Sequence, residues 1–136
     1  MDIEDLIQGA ERVIDVLGCW PSFEGAELIS FAVSRSLPAQ SEATTATLCV
    51  HVRLHHGKAV SAGANAAATH NVLIELVLRD IQHLALYDFN DLNVIDQLDV
   101  SRSADGSVAV EIDPDSGAGG AVRCRSVEIG RVASLI

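Results

Sequence analysis

Leu48-Cys49-Val50-His51-Val52-Arg53-Leu54-His55 is the stretch that decides the fold. Its branched apolar residues fall at every second position, with cysteine, histidine or arginine between them. A period of two places one set of side chains on each face of an extended strand. One face then belongs to a core and the other to solvent, the usual condition of antiparallel sheets. The pattern recurs on both sides. Ile29, Phe31 and Val33 alternate with Ser30, Ala32 and Ser34 within Glu27–Arg35. Val72, Ile74, Leu76 and Leu78 form a third series, with Glu75 and Arg79 on its other face. Shorter runs at Leu84–Phe89, Val94–Ser101, Ser107–Asp113 and Ala121–Ile129 raise the expected count to about seven strands. Asp105-Gly106 between two of these runs marks a tight hairpin, and Gly117-Ala118-Gly119-Gly120, after Asp113-Pro114, marks another connection.

Upstream the period changes. Ile3, Leu6, Ile7, Ala10, Val13, Ile14 and Leu17 recur at steps of three and four, which predicts an amphipathic helix over residues 2–17. Asp2 suits its N-cap, Glu4 and Asp5 complement the helix dipole, and Gly18 stands where a left-handed C-terminal residue would sit. The expected class is α+β: an N-terminal helix packed by its apolar stripe on a mostly antiparallel sheet, in one domain spanning residues 1–136. Residues 36–46, with Pro38, read as a connecting loop, and so does the Ala-rich stretch 57–69.

Composition narrows the function. Apolar residues make up 49% of the chain and aromatics only 4%, so the core is built from Val, Ile, Leu and Ala. Nine basic residues against nineteen acidic ones leave a formal charge of −10, a field that repels phosphate backbones and anionic lipid. Nucleic acid and membrane are therefore not the expected partners, whereas a basic protein is favoured by complementary charge. Eight acidic residues, Asp88, Asp91, Asp96, Asp99, Asp105, Glu111, Asp113 and Asp115, face a single basic one, Arg102, over residues 88–115. Neighbouring strands would gather them on one part of the sheet, a candidate recognition surface. Glu24 and Glu27 are candidate partner contacts beside it. Cys19, Cys49 and Cys124 are odd in number and widely spaced, which argues against a secreted disulfide scaffold. An acidic N-terminus and the lack of a long apolar run point to a cytoplasmic location.

Catalytic and metal chemistry find little support. His51 and His55 share a strand face with Cys49, but i, i+4 on a strand separates two ligands by ~13 Å. Asp113-Pro114-Asp115-Ser116-Gly117 departs from a calcium loop, since Gly117, Ala118 and Cys124 fall where that loop needs a ligand, its glycine and its glutamate. No nucleophile elbow, phosphate loop or dinucleotide fingerprint is present. No cofactor or catalytic residue is expected, and the protein is expected to act by binding. A small-molecule pocket between helix and sheet is the alternative, and self-association through a strand edge is a third reading.

Two motifs carry a resemblance. Trp20-Pro21-Ser22-Phe23-Glu24-Gly25-Ala26-Glu27 joins the helix to the first strand, and Asp88-Phe89-Asn90-Asp91-Leu92-Asn93-Val94-Ile95 joins two later strands. In this order they resemble the immunity protein 50 family of bacterial polymorphic toxin systems. The chain departs from that family at Glu24-Gly25, where His-Asp is common, and at Leu92, where Gln is common. The resemblance implies a protein that binds and blocks a cognate toxin. Structural roles are expected for Trp20, Pro21, Phe23, Phe89, Asn90 and Asn93, the two asparagines because their side chains bond local backbone in turns.

Overall fold

The computed structural model describes residues 3–35, 44–55, 58–59 and 70–135. Asp2 and most of the two connecting stretches, residues 36–43, 56–57 and 60–69, lie outside them. Two strands show the expected alternation without a break. In β3 (Thr44–His55) Ala46, Leu48, Val50, Val52 and Leu54 are buried, and in β5 (His70–Arg79) Val72, Ile74, Leu76 and Leu78 are. These strands pair antiparallel from Thr45↔Arg79 to Leu54↔His70. β3 thus starts inside the stretch read as a loop, and Lys58–Ala59 (β4) returns onto it as a two-residue strand.

The N-terminal segment is not one helix. Ile3–Leu6 form a 3-10 turn, Ile7–Gln8 (β1) pair parallel with Val127 and Glu128, and only Ala10–Leu17 (α1) are α-helical. Gly9 breaks the helix at φ 84°, a left-handed conformation that side-chain-bearing residues rarely adopt. The apolar spacing survives because a 3-10 turn also advances by three residues, so Ile7, Ala10, Val13 and Leu17 still point inward. Gly18 ends the helix as expected, its N–H bonding the Ile14 carbonyl at 2.7 Å.

The sheet is larger than about seven strands. Among the described residues nine strands lie in the order β1-β10-β5-β3-β2-β7-β8-β9-β6, with β4 off the path. The remaining strands are β2 (Glu27–Arg35), β6 (His83–Tyr87), β7 (Val94–Arg102), β8 (Val108–Ser116), β9 (Gly119–Cys124) and β10 (Ser126–Ser134). The run expected as one strand over 121–129 is two, bent at Arg125. β5 and β6 bend at the same level, so Arg79↔Ser126 and His83↔Arg123 pair on either side of the corner. Arg125 N–H to the Arg79 carbonyl (3.0 Å) and Gln82 N–H to the Arg123 carbonyl (2.8 Å) bridge it.

The ladders consequently close on themselves. They run from β2 through β3 and β5 to β10, pass the bend into β9, and return through β8 and β7 to β2 at Glu27↔Val94. The expected helix does pack on the sheet, against β10, but it covers only a small part of it. Eight helical residues cannot cover such a sheet, and the apolar face is buried by curling round one core shared by both halves. The N-terminal segment fills the side where β10 and β7 diverge. Its 3-10 turn packs on β7, β1 and α1 pack on β10, and Arg12 Nη1 donates to the Ile129 carbonyl at 3.2 Å.

Candidate partner-binding site

β7 and β8 form the hairpin expected at Asp105-Gly106, and their register fixes which carboxylates share a face. Leu98↔Ile112 and Val100↔Val110 are buried, so the residues between them point outward: Asp99 lies opposite Glu111, and Gln97 opposite Asp113. β9 and β6 extend these rows, placing Ala121 and Ala85 beside Glu111, and Gly119 and Tyr87 in line with Asp113. Tyr87 is 53% exposed. Its hydroxyl and the Pro114 ring close over Gly119, where a Cβ would meet them at 3.0 and 2.7 Å. Tyr87, Glu111, Asp113, Gly120 and Ala121 border a shallow hollow of about 300 Å³. Arg123 stands one row further along β9, opposite Ala109.

A second group of carboxylates gathers where the strand begins. β7 carries bulges on both sides of Ile95, which leave Asp96 exposed outside the pairing with β8. Bulges of this kind re-aim a side chain. The Trp20–Glu24 loop is tied to the same point: Gly25 N–H donates to the Ile95 carbonyl and Ile95 N–H to the Ala26 carbonyl, each at 2.8 Å. Phe23 adopts φ 65°, an uncommon backbone conformation for a bulky residue, and the residue is only 2% exposed. Trp20 packs edge-on against that ring, centroids 5.6 Å apart, and remains partly open to solvent. The result is a groove of about 570 Å³ between the loop and β7, walled by Ile3, Trp20, Pro21 and Leu98 and edged by Glu24, Asp96 and Asp99. Glu24, Asp96 and Asp115 border a smaller hollow alongside.

The structure therefore joins Glu24, Asp96, Asp99, Glu111, Asp113 and Asp115 around one end of β7–β8. Asp105 sits apart at the hairpin tip, where its Oδ1 accepts from the Ser107 hydroxyl (2.6 Å) and N–H (3.0 Å). Those bonds hold its carboxyl below the usual range. Glu27 pairs opposite His51 at the seam between the halves. Asp88 and Asp91 are exposed in the loop after β6, with Phe89 (48%) and Leu92 (43%). Asn93 anchors that loop: its Oδ1 accepts from Asn90 N–H (2.9 Å) and Ala118 N–H (3.0 Å), and its Nδ2 donates to the Asn90 carbonyl (2.9 Å). On the opposite exterior His51 Nε2 is hydrogen-bonded to Asn71 Oδ1, and Cys49 lies on the same face.

A family model for immunity protein 50 matches residues 9–135, nearly the entire chain. The chain belongs to the immunity protein 50 family. No curated protein and no solved structure matches it. In this immunity protein 50 member the two motifs meet in space, since Leu28 N–H bonds the Asn93 carbonyl at 2.8 Å and Ile95 bonds the Trp20–Ala26 loop. Membership implies an immunity protein with a protein partner. Sequence reading had placed the acidic residues on one segment but missed Tyr87 and the groove beside Trp20. Charge counting does not register a neutral aromatic, and the groove depends on a loop about 75 residues away from β7 in sequence.

Proposed function

We propose that this immunity protein binds and neutralises a cognate bacterial toxin with a basic surface, using the acidic exterior of β7–β8 and the adjoining groove. The observation that carries this reading is the direct opposition of Asp99 and Glu111, with Asp113 in the next row. Like charges opposite each other on neighbouring strands destabilise a sheet. Their presence beside an exposed tyrosine is accounted for by a cationic partner that relieves the repulsion on binding. The protein acts stoichiometrically in the cytoplasm of the producing cell, without cofactor or catalysis.

The core argues against the alternative of an internal ligand pocket. Leu48, Val50, Ile74, Leu76 and Leu78 are fully buried at its centre, and the grooves described above are open at the surface. The test is capture from the native bacterium followed by co-expression with the toxin recovered. Growth rescue with a one-to-one complex is expected, and Asp113→Lys should slow association and weaken its salt dependence while Asp15→Lys, the same charge change on exposed α1, should not. Equal effects from the two substitutions would remove the acidic face from the reading.

A further inference from the structure

We infer that the groove between Trp20 and β7 receives an arginine side chain of the partner; this rests on the toxin-binding reading and specifies its anchor. The groove is half apolar and half polar, and three of its polar residues are carboxylates. Ile3, Trp20, Pro21 and Leu98 line it together with Glu24, Asp96, Asp99, Ser22 and Gln97, and among the described residues no Lys or Arg does. An aliphatic ligand would meet none of the three carboxylates with a donor, and a compact ammonium can sit over the indole but presents no planar edge of paired donors to the carboxylates. A guanidinium matches both parts: its planar face stacks on an aromatic ring, its edge donates paired hydrogen bonds to carboxylates, and its methylene stem lies along apolar surface.

The geometry is held ready for such an occupant. Phe23 fixes the indole from one side, and backbone bonds to Ile95 fix Glu24 relative to Asp96. Gln97 Nε2 donates to Asp99 Oδ1 at 3.2 Å, which orients one carboxylate while leaving its other oxygen for a ligand. Little ordering is then required on binding, the condition under which a single side chain anchors an interface.

Trp20 is the single tryptophan of the chain, so its fluorescence reports on this groove directly. The intact protein would be titrated with a capped Gly-Arg-Gly-Arg-Gly peptide at low salt, and with the lysine and citrulline versions. A saturable emission change is expected for arginine, at least about threefold weaker for lysine and absent for citrulline. Asp96→Asn and Asp99→Asn should each weaken the arginine response at least about fivefold, whereas Asp15→Asn, on exposed α1 away from the groove, should leave it within about twofold. Circular dichroism would confirm that each variant is folded. No saturable response to arginine, or an unchanged one in both Asn variants, overturns the inference. Growth rescue by co-expression separates the two proposals. A toxin neutralised equally by the wild type and the Asp96→Asn/Asp99→Asn double variant overturns the anchor and leaves immunity standing. An arginine-binding groove in a protein that protects against no toxin leaves the anchor standing and overturns immunity.

Discussion

At the scale of single residues, Asn93 shows how far local chemistry can be read. The sequence marks Asn90 and Asn93 as turn residues, and both bond backbone within three positions, Asn90 Oδ1 accepting from Leu92 N–H at 3.1 Å. It gives no sign that Asn93 also reaches Ala118, because that contact depends on the closure of β8 onto β9. Asn93→Ala would leave the N–H groups of Asn90 and Ala118 without their acceptor at a site 2% exposed. A loss of about 2–4 kcal/mol is expected in urea unfolding. Gly120→Ala should be at least as damaging, since a Cβ there would lie 2.0 Å from the Ala85 carbonyl oxygen. The cysteines supply a third residue-scale expectation. Burial pushes the Cys124 thiol up to about 11, and burial followed by the Glu75 charge raises that of Cys49, while Cys19 is exposed. Thiolate is the reacting form, so at pH 8 a disulfide reagent should label Cys19 first, Cys49 more slowly, and Cys124 only after unfolding. Rapid labelling of Cys124 in the native protein would contradict its place in the core.

Among the elements, strands were more legible than the helix for a definite reason. Period two has no competitor in β3 and β5, where every second residue is apolar and buried from Ala46 to Leu54 and from Val72 to Leu78. Steps of three and four, by contrast, are shared by α-helix and 3-10 turn, so residues 3–17 carry one apolar stripe through three different conformations. Gly9 was the sign of the break, and its position between Gln8 and Ala10 was compatible with a tolerated helical glycine. Gly9→Ala tests which reading is right. In a continuous helix it would stabilise by up to about 1 kcal/mol, whereas at φ 84° it should destabilise by about 1–2 kcal/mol in thermal or urea unfolding. β2 shows a different limit. A bulge after Leu28 shifts its register, and although Phe31 and Val33 pair with the buried Leu48 and Ala46, Val33 is 48% exposed. Alternation reports which way a side chain points, and not whether another layer reaches it.

Across the molecule, ring closure and the candidate site share one cause that no local pattern announces. The bend at Arg125 carries β9–β10 from one half of the sheet to the other, and the seam at Glu27↔Val94 brings the Trp20–Glu24 loop against Asp96. The acidic run over 88–115 was visible as composition, yet which members are grouped and that Asp88 and Asp91 stand apart follow from the strand register and the bulges of β7. That register makes a final prediction in which stability and function move in opposite directions. Glu111→Lys converts the Asp99–Glu111 opposition into an ion pair on an exposed sheet face, where such pairs contribute about 0.2–1 kcal/mol. The variant should therefore melt at the same temperature as the wild type or slightly higher. If the face meets a basic toxin, the same substitution should slow association several-fold at low salt and lose that effect as ionic strength rises past the point where the Debye length falls to about 8 Å. A variant that is more stable and still fully protective would show that the carboxylates repel one another for some reason other than partner recognition.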